Sequence, residues 1–304
     1  MRWWGWLLVA VTVAGFGTGG LVFYTAHHLE VEQVSDDLYV LYGAGGNVGV
    51  LRTGEGTVVV DTMTLRYQGS RIMEMAAELT GEPVVMIINT HYHLDHTHGN
   101  PAFPAGTRVV STDRTPHHLK TLDAAYFSGD AAALLPNETF SSERRIAIGD
   151  KHITLLWPGR GHTDGDLVAL FEEEGVIHMG DLHFNGHYPN IDLEAGASVQ
   201  AWGATIDRAL ELDFDRVIPG HGPVTDPEGL RQFQRFINQL ASLGREAVAE
   251  GITKEAFINT DALTEDEGYT EIRMLVSLGL TREFVLGRAW EEAQALATAG
   301  RDAR

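Results

Sequence analysis

The stretch that most restricts the fold runs from residue 84 to residue 96. Residues 84–90 are a nearly continuous apolar run, which reads as a strand buried on both faces. It is followed at once by His91-Tyr92-His93-Leu94-Asp95-His96. Three imidazoles and a carboxylate packed at the end of a buried strand desolvate and repel one another unless a cation is bound. In an extended chain His91 and His93 point to one face. If the chain then turns, Asp95 and His96 point toward a second centre a few ångströms away. Four donors within six residues therefore suit two metal ions.

The surrounding sequence supplies a scaffold for such a strand end. Residues 37–43, 47–53 and 56–61 read as strands, the last set off by a Gly-Glu-Gly turn. Residues 65–80 read as an amphipathic helix ended by Gly81. Further short strands are expected at 108–111, 152–157, 166–172, 176–180 and 216–219. Helices are expected at 199–212, at 226–251 with Pro227 near its start, and over the tail 254–299. Strands interleave with helices through the first two thirds, which indicates layered α/β with helices covering sheet faces.

The chain has 304 residues and 14 histidines, about twice the share a typical protein carries, and no cysteine. Without cysteine there is no disulfide framework, thiolate nucleophile or iron–sulfur cluster. Lys+Arg sum to 22 and Asp+Glu to 42, a net charge of −20 that argues against a nucleic-acid partner.

Three more Gly- or Asp-punctuated segments carry candidate ligands: His162 after Gly161, Asp181 after Gly180, and His221 between Gly220 and Gly222. Loops at strand ends are where a rigid sheet presents reactive groups. Among the other histidines, His152 and His178 are expected to be satisfied by backbone partners. His98 reads as structural, and His117 and His118 as an exposed pair. Asp61, at a strand end, reads equally as a cap or as a residue of the site.

Residues 3–26 form a separate object, 24 residues without a charged side chain. As a helix they would reach about 36 Å, enough to span a bilayer core of about 30 Å. Trp3, Trp4 and Trp6 at one end and Phe23 and Tyr24 at the other suit two interfaces. Arg2 before the span and Glu30, Glu32, Asp36 and Asp37 after it put the remainder outside the cytoplasm. The expectation is a transmembrane anchor over residues 1–26 with an extracytoplasmic, periplasmic or extracellular, catalytic part. The alternative is a cleaved signal segment.

In these motifs the sequence resembles the metallo-β-lactamase superfamily. Its HxHxDH motif stands here as His91-Tyr92-His93-Leu94-Asp95-His96, followed in the family's order by Gly161-His162, Gly180-Asp181 and Gly220-His221-Gly222. The similarity covers roughly residues 35–225. It implies a four-layer αβ/βα sandwich, here divided into the N-terminal segment 1–26, a catalytic domain 27–225 and a helical C-terminal extension 226–304. It further implies one zinc on His91, His93 and His162 and a second on Asp95, His96 and His221. Asp181 and a water or hydroxide would bridge the two, with Asp61 behind the metals. Two zincs per chain are expected, manganese or iron being the alternatives. The hydroxide would attack a carbonyl while Asp95 orients it and takes its proton.

Departures narrow the choice. β-Lactamases of the family carry cysteine or serine where Asp181 stands. Acyl-homoserine lactonases carry a tyrosine where Phe184 stands, and di-iron flavoproteins usually a glutamate where His93 stands. Glyoxalase II enzymes need cations to hold glutathione, and this chain has only Lys120, Lys151 and Lys254 as lysines. The segment 180–192 looks most like a loosely characterised branch of periplasmic zinc hydrolases associated with quinoprotein or sulfur oxidation. Within it Asn185, His187 and Tyr188 are candidates to contact substrate, or to shape a turn ahead of Pro189. The expectation is a zinc hydrolase cleaving an ester, thioester, lactone or cyclic amide in a small molecule. Its rivals are an accessory metal- or sulfur-handling protein of an exported oxidation system, and a β-lactamase.

Overall fold

The computed structural model describes residues 29–273 and 279–302. The first sheet takes seven strands in chain order: β1 (Glu30–Gln33), β2 (Leu38–Tyr42), β3 (Val48–Leu51), β4 (Thr57–Val60), β5 (Val84–Ile88), β6 (Arg108–Thr112) and β7 (Glu138–Phe140). β1 to β4 form an antiparallel meander, and β4 to β7 pair in parallel. The sense changes at β4 because helix α1 (Arg66–Thr80) carries the chain over to β5, and parallel neighbours need such a crossover. Gly81 ends α1 as expected, at φ 75°, a left-handed conformation that favours glycine. Helices α2 (Leu94–Thr97) and α3 (Arg114–Thr121) lie on the connections from β5 to β7.

The second sheet holds five strands: β8 (Glu143–Ile148), β9 (Lys151–Leu156), β10 (Val168–Phe171), β11 (Val176–His178) and β12 (Arg216–Ile218). They pair antiparallel except β11 with β12, which run parallel across helix α4 (Val199–Leu210). Helix α5 (Pro227–Ala249) follows, its first N–H groups capped by Asp226.

Alternation along the strands makes the layers. Val58, Val60, Met86, Ile88 and Val110 of the first sheet meet Ile153, Leu155, Ala169, Phe171 and Ile218 of the second. Val59, Ile87 and Val109 point the other way, onto Ile72, Met75 and Ala76 of α1. Val168, Leu170, Ile177 and Val217 face Trp202 and Ile206 of α4 and Phe233 and Phe236 of α5. The order is helix, sheet, sheet, helix, the expected αβ/βα sandwich.

Three expectations are corrected. The transmembrane helix is the first: among the described residues no helix is long and apolar enough to cross a membrane. The long ones carry charges along their length, such as Arg231, Arg235 and Arg245 on α5. Residues 3–26, on which the anchor was read, lie outside the described residues. The membrane attachment and the periplasmic or extracellular location are withdrawn with that helix.

The tail is the second correction. In place of helices alone it holds a short α6 (Lys254–Phe257), an antiparallel pair of β13 (Ile272–Arg273) and β14 (Gly279–Leu280), and the long α7 (Arg282–Asp302). Gly268, at φ 82°, interrupts any helix there. Third, His118 is buried rather than exposed, and its Nε2 lies 2.7 Å from Asp164 Oδ1.

Candidate metal centre

β4 and β5 are parallel neighbours whose C-terminal ends lie side by side, and the centre is built there. Val60 leads into Asp61, fully buried and held at φ 66°. Ile88 leads through Asn89 and Thr90 to His91. Asp61 accepts hydrogen bonds from the Thr90 N–H (2.8 Å), the Thr90 hydroxyl (2.7 Å) and His96 Nδ1 (2.7 Å). One carboxylate therefore fixes both the strand end and a histidine six residues beyond it.

After His93 the chain turns into α2. The His93 carbonyl accepts from the N–H groups of His96 and Thr97, and this turn parts the donors into two groups. His91, His93, His162 and Asp181 bring one ligand atom each within 4.8 Å of one another, and so do Asp95, His96 and His221. Asp181 stands between the groups. Its Oδ2 lies 3.4 Å from His162 Nε2 and 3.8 Å from His91 Nε2. Its Oδ1 lies 3.1 Å from His96 Nε2 and 3.5 Å from His221 Nε2. Asp95 Oδ2 closes the second group at 3.2 Å from His221 Nε2. A side chain at Gly220 would overlap Asp181 Oδ1, so the close approach of that loop requires glycine.

The outer nitrogens of the rings fix their tautomers. His162 Nδ1 donates to the Asn190 carbonyl (2.9 Å) and His93 Nε2 to Asp192 Oδ2 (2.9 Å). His91 Nδ1 lies 3.0 Å from the Thr90 hydroxyl, whose proton goes to Asp61. The inward nitrogens are thereby left as lone pairs, yet His93 Nδ1 and His162 Nε2 lie only 2.7 Å apart. Two acceptors facing each other at that distance repel unless a cation lies among them. His96 Nε2 and Asp181 Oδ1 are buried and make no hydrogen bond. This donor set, nitrogen and carboxylate oxygen in low number with hydrogen-bonded outer edges, fits a pair of zinc ions.

Electrostatics sorts the same groups. Burial lowers His91 well below the usual histidine range and brings His162 to about 4, so both stay neutral, as ligands must. Burial also opposes charge on His221, but Asp181 and Asp95 outweigh it and raise the ring to about 9. His96 is raised in the same way by Asp181, Asp95 and Asp61 against burial. Burial pushes Asp181 and Asp95 up, and the imidazoles around them overcome it and hold both carboxylates ionised.

The three candidates for substrate contact have their polar atoms paired with residues other than the candidate ligands, and Tyr188 is buried in the apolar core beside Phe236 and Tyr269. Asn185 Nδ2 donates to the Pro223 carbonyl at 2.9 Å, and the Tyr188 hydroxyl to Asp266 at 2.8 Å. His187 Nδ1 is 2.7 Å from the Thr270 hydroxyl. His187 is near enough to His221 that, after burial, the charge there lowers its pKa.

Of the remaining histidines, His178 is satisfied by the Asn47 carbonyl and the Gly180 N–H. His98 pairs with Asp123 and stacks on Tyr126. His152 pairs with Glu173 rather than with a carbonyl.

Sequence reasoning missed Asp192, the Asn190 carbonyl and Asn47. Asn47 Nδ2 ties the loop of His221 by donating to the Pro219 (2.9 Å) and Gly222 (2.8 Å) carbonyls. Asp192 also caps the turn Leu193–Ala195, and that cap is all its sequence context signals.

A family model described as the metallo-beta-lactamase superfamily matches residues 41–221. A metallo-beta-lactamase type 2 from Bacillus sp. (strain 170) is 27% identical over 58% of this chain, which spans 66% of that relative's length. A hydroxyacylglutathione hydrolase from Rhodospirillum rubrum is 30% identical over 64% of this chain and 76% of its own. Among solved structures, a metallo-beta-lactamase from Pontibacter korlensis aligns with a TM-score of 0.60 at 24% identity, over 69% of this chain and 99% of that one. The likeness at that identity is one of fold. The family match, running from within β2 to His221, covers more than half of the sequence, and this chain accordingly belongs to the metallo-beta-lactamase superfamily.

Proposed function

We propose that the protein is a binuclear zinc hydrolase that cleaves an ester, thioester, lactone or cyclic amide bond in a small molecule. His91, His93 and His162 would hold one ion, Asp95, His96 and His221 the other, and Asp181 would link them. The observation that carries this reading is the placement of Asp181, one oxygen toward each ligand group. When bound, the two ions supply Lewis acidity and an acidified water nucleophile.

The chain's own residues set the direction of attack. His91, His96, His162 and Asp181 are at most 3% exposed, whereas His93 and His221 are 16% and Asp95 27% exposed. Substrate therefore approaches over His93, Asp95 and His221. Asp95, held as the anion, orients the nucleophile from that open side and receives its proton as the tetrahedral intermediate forms. His187, half-buried and bonded to the Thr270 hydroxyl, is our candidate for substrate contact on the same side.

Neither relative named above assigns the substrate, because the two bear the names of different activities. Asp181 stands where the family's β-lactamases carry cysteine or serine. With the segment 180–192, that supports a place near the quinoprotein-associated zinc hydrolases. The test is a panel of esters, thioesters, lactones and nitrocefin offered to the zinc-loaded chain. Turnover of an ester, thioester or lactone, lost on chelation and restored by zinc, is the expected result. Turnover of nitrocefin alone would make the chain a β-lactamase. Turnover that survives complete metal removal would overturn the proposal.

A further inference from the structure

Helix α7 packs against α5 through Val285, Leu286 and Ala289, an ordinary core contact. Two of its polar side chains, one turn apart, reach instead toward the metal centre. Arg288 Nε donates to the Ile191 carbonyl at 2.9 Å, and its Nη1 and Nη2 both bond Glu194. Glu292, 9% exposed, accepts from the Ser198 hydroxyl at 2.6 Å and from the Gln200 N–H at 3.2 Å. The helix thus grips the chain on both sides of the turn Leu193–Ala195.

That gripped segment carries the outer partners of two imidazoles in one ligand group. The Asn190 carbonyl holds His162 Nδ1, and Asp192 holds His93 Nε2 and the Tyr92 hydroxyl. The far end is tied as well, because the Ser198 N–H donates to the Gly161 carbonyl (2.9 Å), next to His162. The other ligand group has separate supports: Asp61 holds His96, and Asn47 holds the turn of His221.

We infer that Arg288 and Glu292 of α7 are positioning residues for the His91, His93 and His162 group, acting through residues 190–198, and leave the Asp95, His96 and His221 group to other supports. This rests on the two-metal reading above. The physical reason is that His93 sits at the open edge of the centre. Its ring presents Nδ1 inward only while Nε2–H has an acceptor, and Arg288 fixes the backbone next to that acceptor. The C-terminal helix is then part of the metal centre's support.

The test uses the full chain with zinc and a competing chromophoric chelator, resolving the two binding steps. Arg288→Ala and Asp192→Ala are each expected to weaken one step about 10- to 100-fold and to leave the other unchanged. Asp192→Asn recovers most of the loss, because the amide oxygen still accepts from His93 Nε2–H. The double alanine variant loses less than the product of the single losses, because both changes act through one segment. Cobalt(II) absorption should change for the affected site alone. Equal weakening of both steps, in proportion to a fall in melting temperature, would reduce α7 to a merely structural role and overturn the inference. So would an Arg288→Ala chain that binds two zincs as the unaltered chain does. An unaltered chain that takes up fewer than two zincs would overturn the two-metal reading, and this inference with it.

Discussion

Asp61 shows how much a single side chain decides. It accepts three hydrogen bonds, sits fully buried, and holds a left-handed φ that only a few residue types tolerate. Asparagine tolerates that conformation, but its amide cannot accept all three donors. Asp61→Asn is therefore expected to keep the fold while weakening zinc at the His96 group by about tenfold or more, read by chelator competition. Unchanged affinity there would show that His96 needs no such partner. At this scale the four donors of residues 91–96 are legible from their spacing, whereas His162, Asp181 and His221 are marked by neighbouring glycines and by the order of the family's motifs. Their partners are not legible. A backbone carbonyl such as that of Asn190 has no signature in the letters, and Asp192 looks like a helix cap because it is one.

Elements are legible in proportion to their burial. β3, β4 and β10, buried along their whole length, stand out as apolar runs. β1, β7 and β8 are not signalled, because they carry mostly exposed or half-exposed polar residues and are set by pairing. Charge does part of that work between the sheets. Glu138 of β7 bonds Arg108 of β6 and Arg144 of β8, so it ties the edge of one sheet to the edge of the other. The Arg108 guanidinium, opposed by partial burial and reinforced by Arg144, lowers Glu138 from 4.5 to about 2. A depressed folded-state pKa contributes stability that is present above about 4.5 and lost as pH falls toward 2. Denaturation from pH 6 to pH 2.5 should therefore show a shallower acid loss in Glu138→Gln than in the unaltered chain. Identical slopes would remove this tie from the list of edge supports.

For the whole molecule, the candidate ligands converge from four separate stretches, and the apolar core between the sheets includes none of them. The layered α/β class was legible because strands interleave with helices, whereas the αβ/βα layer order followed from the resemblance to the family. The turn around Gly268 and the pair of β13 and β14 were not legible, being short and without an apolar period. Nor was the grip of α7 on residues 190–198, which depends on tertiary approach across about a hundred positions of sequence. The most direct measurement is the zinc content of the purified full chain, by mass spectrometry, beside that of Asp181→Ala. About two zinc ions per chain are expected, with a clear deficit in the variant and a retained circular dichroism spectrum. One zinc or none in the unaltered chain, or an Asp181→Ala chain that still holds two and turns over substrate normally, would contradict a centre joined through Asp181.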